Sequence, residues 1–157
     1  MVVMITPASL GDPRIVALLE THFDVMHATS PEDSCHVLAI EEISTKRLSL
    51  WAAWDDHDRE RLLGVGGLLE LDPRHGEIKS MHTVEALRGR GTGTAILQFI
   101  MGAARARGYD RLSLETGASD DFSAARRLYE AHGFLECPPF GSYTIDPHSV
   151  FMTLHLN

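Results

Sequence analysis

Cysteine is scarce: the 157 residues hold only Cys35 and Cys137, far apart and without a CxxC. That argues against a disulfide framework and against a thiolate zinc site. Long apolar runs are missing too, and none approaches the ~20 residues that a membrane span needs. The first residues, Met1-Val2-Val3-Met4-Ile5, have neither a basic region nor a small-residue cleavage site, so they do not read as a signal peptide. A cytoplasmic protein without a membrane partner is the expectation. Surplus positive charge is absent as well. A net charge of −8 argues against a general nucleic-acid binder, which needs a basic stripe to displace counterions. The same field mildly favours a cationic or neutral substrate. There are nine histidines, but none forms an HxxxH pair with carboxylates on one helical face, and no metal is expected. Repeats, low-complexity tracts and linkers do not occur, and the length suits one domain, residues 1–157.

What is present is an ordinary globular balance, 44% apolar and 23% charged. Val2–Ile5 reads as a short strand. Asp12-Pro13 offers an N-cap with proline at the first helical position, and Ile15, Val16, Leu18, Leu19, Phe23 and Met26 follow at helical spacing, predicting a helix over 13–27. Residues 28–36 are a polar break. Leu48–Trp54, Leu62–Leu71 and Glu77–Val84 read as strands separated by the turns 55–61 and 72–76, an antiparallel meander. Helical periodicity returns with Ile96, Leu97, Ile100, Met101 and Ala104, and ends in Arg105, Arg107 and Gly108. A strand over Arg111–Glu115 follows. A helix capped by Asp120 or Asp121 then runs to His132, with Gly133 ending it and the helix dipole accounting for the histidine. The loop Pro138–Ser149 leads to a last strand, Val150–Leu156. The order β-α-β-β-β-α-β-α-β predicts a mixed α/β fold, a mostly antiparallel sheet flanked by helices.

Between a strand and a helix lies Arg88-Gly89-Arg90-Gly91-Thr92-Gly93. Glycines bring backbone close to a ligand, a helix start adds free N–H groups, and Arg88 and Arg90 raise the local positive charge, a good arrangement for phosphates. A plain direction-changing turn is the alternative. The P-loop is excluded because no Lys-Ser or Lys-Thr follows, and the dinucleotide loop because its third glycine is misplaced.

This loop resembles that of the GNAT superfamily of acetyl-CoA-dependent N-acetyltransferases: Arg or Gln, two residues, Gly, one residue, then Gly or Ala, met by Arg88, Gly91 and Gly93. A second family signature, Ala-x-x-Leu-Tyr-x-x-x-Gly-Phe, is met by Ala125, Leu128, Tyr129, Gly133 and Phe134. The resemblance covers residues 77–134 well. It implies that acetyl-CoA is the cofactor, that the amides of Gly89 to Thr94, including Thr92, hold its pyrophosphate, and that Tyr129 is the acid for the leaving thiolate. It also implies that the strand with Met81, His82 and Thr83 pairs with the pantetheine and polarises the acetyl carbonyl. Many members carry Asn three residues before the helix alanine; here Phe122 stands there, so that contact passes to backbone or to Ser123. A tyrosine packed on the sheet is the plain alternative for Tyr129.

An amine must lose a proton before it attacks. Glu77, His82 and Glu115 are the candidate bases, and relay through water is the alternative. Glu77 stands eleven residues before Arg88, where the histone-modifying branch of the family keeps its glutamate. Alternation places Glu77, Lys79, Met81 and Thr83 on one face, and Ile78, Ser80 and His82 on the other. The acceptor pocket is expected from Met26–His36 and the loop 138–149, with His27, Ser30, Ser34, His36, Glu115, Phe140 and Tyr143 as candidates. The expected activity is direct acetyl transfer to a small-molecule amine in a ternary complex. A non-catalytic acetyl-CoA sensor and a protein or peptide N-acetyltransferase are the alternatives. The oligomeric state is not fixed by the sequence, which is compatible with a homodimer.

Overall fold

Asp12 caps the first long helix as its position demands: its Oδ1 accepts from the Arg14 amide at 2.9 Å, and Pro13 occupies the first turn. In this computed structural model, which describes residues 2–43 and 47–156, strand β1 (Val3–Pro7) leads into that helix, α1 (Pro13–Thr29). A 3₁₀ turn (Glu32–Ser34) and a short helix α2 (Ile40–Ile43) follow, neither foreseen in the sequence. The meander is β2 (Leu48–Asp55), β3 (Leu62–Asp72) and β4 (His75–Thr83). Then come α3 (Thr92–Ala106), β5 (Arg111–Gly117), α4 (Ser123–Ala131), β6 (Leu135–Glu136) and β7 (Ser149–His155). Among the described residues no helix is long and apolar enough to cross a membrane.

The strands form one sheet in the order β1-β2-β3-β4-β5-β7-β6. The predicted mixed, mostly antiparallel sheet is therefore what the chain builds, with β4 and β5 as the one parallel pair among the described strands. Helix α3 buries Ile96, Leu97, Ile100 and Ala104 against one face, together with Tyr129 and Phe134 from the α4 region. Helix α1 buries Ile15, Leu18 and Leu19 against the other.

Several boundaries differ from the sequence reading. The turn expected over 72–76 tightens, because Asp72 Oδ1 accepts the Arg74 amide at 2.8 Å and β4 already begins at His75. Neither Asp120 nor Asp121 caps α4. They form a 3₁₀ turn with Phe122, which takes the N-cap position without a side-chain hydrogen bond. At the other end His132 Nδ1 donates to the Leu128 carbonyl at 2.8 Å.

The largest correction concerns alternation in β4. Ser80 adopts φ 57°, and the register passes from Gly67↔Lys79 to Val65↔His82. A bulge of this kind absorbs one extra residue. His82 thereby joins Glu77 and Lys79 on the α1 face, while Met81 turns towards Ile96 and Ile100 of α3.

Candidate functional site

Strands β4 and β5 pair only from His75↔Arg111 to Glu77↔Ser113. Beyond that point they diverge, and the β4 edge facing β5 has no strand partner among the described residues. The opening becomes a cleft of about 510 Å³ between the sheet, α1, the start of α3 and α4.

One end of the cleft is the start of α3. Gly91 is its N-cap residue at φ 87°, a left-handed conformation that glycine adopts without steric cost, and no side chain caps the helix among the described residues. The first bond back to the cap is Ala95 N–H to the Gly91 carbonyl at 3.0 Å. The amides of Thr92, Gly93 and Thr94 are thus left without intrahelical acceptors, and a fifteen-residue helix adds its dipole to them. The space around Gly91 and Gly89 is open, and the buried Thr92 hydroxyl has no hydrogen-bond partner among the described residues. Free donors, local positive charge and room are what a diphosphate needs, so these residues fit that part of coenzyme A. Arg88, Gly89, Gly91, Thr92, Gly93 and Thr94 all line the cleft. Arg90 does not; it is exposed and turned away from it.

Tyr129 sits midway, 7% exposed, its ring edge-on to Phe134 at 5.7 Å between centroids. Burial pushes its phenol above the ordinary tyrosine range, so it keeps its proton. No protein group hydrogen-bonds its hydroxyl among the described residues, and the side chain lines the cleft with Ala125 and Phe122. Phe122 is set by Gly117: a Cβ on that glycine would stand 2.0 Å from the Phe122 ring. Arg126 clamps the same corner through the carbonyls of Gly117 (2.6 Å) and Ser119 (2.9 Å). Gly117→Ala is therefore expected to push Phe122 into the cleft. Stability should fall by about 1–3 kcal/mol in a denaturant melt, and calorimetry should read weaker coenzyme A binding.

The other end is polar and mostly buried. Tyr143 Oη donates to Glu77 Oε2 at 2.6 Å. Lys79 Nζ lies 3.5 Å from the same oxygen and donates to Tyr143 Oη (2.9 Å) and to the His36 carbonyl (3.0 Å). Glu77 and Tyr143 thus form the wall behind Lys79 and do not line the cleft itself. Ser34 Oγ donates to Asp146 Oδ2 at 2.5 Å, tying the loop before β7 to the segment after α1. Ser30, Ser34, His36 and Glu115 do line the cleft, with Met81, His82 and Thr83. Burial raises the Glu115 carboxyl to about 7. His27 is the clear misplacement: it is exposed, stacked on Phe23 at 4.2 Å, and outside the cleft.

One residue was missed. His22 lies 2.9 Å from His82, Nδ1 to Nδ1, and both rings line the cleft. Its position was legible: 22 continues the 15, 18, 19 stripe by four and three residues.

The model of the acetyltransferase (GNAT) family matches residues 14–134. The chain belongs to the GNAT acetyltransferase family. It is an N-acetyltransferase. Among its relatives, the uncharacterized N-acetyltransferase YsnE of Bacillus subtilis (strain 168) is 45% identical over 91% of this chain and 93% of its own length. A putative acyl-CoA N-acyltransferase from Klebsiella pneumoniae has a similar structure, with TM-score 0.77, 26% identity, and 99% and 98% of the two chains covered. A Bacillus subtilis acetyltransferase solved in complex with CoA shares the fold, with TM-score 0.73, 20% identity, and 99% and 100% covered.

Proposed function

We propose that this GNAT enzyme, acting as one domain over residues 1–157, moves the acetyl group of acetyl-CoA to an amine of a small molecule by direct transfer in a ternary complex. The observation that carries this reading is the continuity of the cleft, which runs from the uncapped start of α3, past the Tyr129 hydroxyl, to Glu115. When bound, acetyl-CoA supplies an activated acyl carbon and a thiolate leaving group. The unpaired β4 edge and the α3 amides hold it in line, and positioning supplies much of the rate.

The three candidate bases differ in how far uphill they would take the proton of an amine with pKa ~10. Glu115, at about 7, leaves a gap of about 3 units, or about 4 kcal/mol. His82 is held near 4 by burial, which makes the gap about 6 units, or about 8 kcal/mol. Glu77 already accepts from Tyr143 and faces Lys79, so its carboxylate serves to hold that wall. Glu115 is the base on this comparison.

Tyr129 stabilises the departing sulfur by donating a hydrogen bond. Complete transfer from it runs uphill, because a thiol near pKa ~8.5 is the stronger acid. A thiol-release assay over amino acids, polyamines, aminoglycosides and peptides tests the activity, and silence with every amine overturns it. For the base, kcat/KM should rise with pH and level off above about 7, since the ionised carboxylate is the active form. Glu115→Gln should remove that limb and lower the plateau about a hundredfold. The same variant should melt higher at pH 8. A buried acid whose pKa is raised in the folded state loses stability as pH climbs from the ordinary carboxyl value of 4.5 to about 7, so at pH 8 the whole penalty is in place, and the glutamine carries no such charge.

A further inference from the structure

An ammonium loses two protons on becoming an amide nitrogen: R–NH₃⁺ and the thioester yield the amide, a thiol and one free proton. Glu115 accounts for the first loss. The second comes as nitrogen bonds to the acyl carbon, when its remaining protons are far more acidic, and no group assigned so far takes it.

His22 and His82 face each other across the cleft wall, edge to face, with ring centroids 4.9 Å apart and Nδ1 atoms at 2.9 Å. One Nδ1 must carry the proton that the other accepts. Burial holds both rings neutral at pH 7, near 3 for His22 and near 4 for His82, helped by His82 and then Lys79 on the first and by Arg88 on the second, with Glu85 opposing. Each neutral ring has one proton, so the pair shows the cleft one Nε2–H and one bare Nε2. Neither Nε2 has a hydrogen-bond partner among the described residues, and neither is sealed from the cleft.

We propose that His22 and His82 form a two-ring proton relay, the second proton acceptor of the transfer. The bare Nε2 gains the nitrogen's second proton, the shared proton crosses between the Nδ1 atoms, and the far ring gives up its Nε2 proton to water in the cleft. An N–H bond breaks at the substrate and another forms on the near ring, the Nδ1–H bond exchanges owners, and the released proton ends on the departing sulfur. Both rings finish neutral with their tautomers swapped, and the pair resets when cleft water takes the near Nε2 proton, the shared proton returns between the Nδ1 atoms and the far Nε2 is reprotonated. This rests on the acetyl-transfer reading above.

His22→Asn separates relay from positioning. The asparagine amide still hydrogen-bonds His82 Nδ1 but passes no proton onward. The amine of spermidine, L-lysine, tyramine and kanamycin with the fastest wild-type thiol release serves as probe. His22→Asn should lower kcat at least about tenfold, with the KM for acetyl-CoA and the melting temperature unchanged. The wild type should show a bowed proton inventory in mixed H₂O and D₂O, and the variant a straight one. Wild-type turnover retained by His22→Asn, or a straight inventory in the wild type, overturns the relay while leaving acetyl transfer standing. No thiol release by the wild type overturns both. Should His22→Asn lose its cooperative melt, His82→Asn reads the same step from the other ring.

Discussion

Replacing Tyr129 by phenylalanine is expected to lower kcat at least about tenfold while coenzyme A binds as before. The expectation follows from what the hydroxyl does and does not touch. Its ring packs against Phe134 and the α3 core, contacts that phenylalanine keeps. Its oxygen has no protein partner among the described residues, so removing it leaves no buried group unpaired and folding should be little affected. The lost interaction is confined to the charge that develops on sulfur, which is why kcat should move and binding should not. Stopped-flow thiol release and calorimetry with coenzyme A read the two quantities separately. Turnover within twofold of wild type would defeat the donor role.

A still larger loss is expected from Gly91→Asp, this time in binding. A residue with a Cβ at φ 87° costs about 1–2 kcal/mol in backbone strain. The carboxylate would compete for the free amides of Thr92 to Thr94 and repel the diphosphate they suit, a further cost of about 1–2 kcal/mol. With a Cβ the free loop relaxes out of this conformation and coenzyme A must draw it back, so both terms fall on binding and together predict coenzyme A affinity lower by about two orders of magnitude. Gly91→Ala isolates the strain, because open space surrounds the position. Calorimetry on both variants apportions the effect. If Gly91→Ala were as damaging as Gly91→Asp, strain in the loop would be the cause and the electrostatic account would fall.

The proposed coenzyme end is legible because its signals are local. Glycine spacing before an apolar stripe marks an uncapped helix start, and the alanine, leucine and tyrosine of α4 lie within two turns of one another. The proposed acceptor end is assembled from pairs remote in sequence: Tyr143 with Glu77 lies 66 residues apart, Ser34 with Asp146 112, and His22 with His82 60. Nothing in a single strand or loop announces such partners. His27 falls outside the cleft for a related reason: its polarity suits the expected pocket, but its place on α1 beside Phe23 leaves it exposed. The bulge was invisible for a different reason. A positive φ usually advertises itself with glycine or asparagine, and here a serine carries it.

That serine makes the register of the strand a functional variable. Below Ser80 the α1 face receives the odd-numbered residues Glu77 and Lys79, and above it the even-numbered His82. Pairing Ser80 into the ladder as an ordinary residue, without the bulge, would restore plain alternation and carry the His82 imidazole round to the α3 face, among Ile96 and Ile100. His22 would then face an aliphatic neighbour, and Met81 would occupy the wall where the imidazole stood. A one-residue change of register in the middle of a strand would thus exchange the chemistry of the two sides of the sheet without changing any side chain.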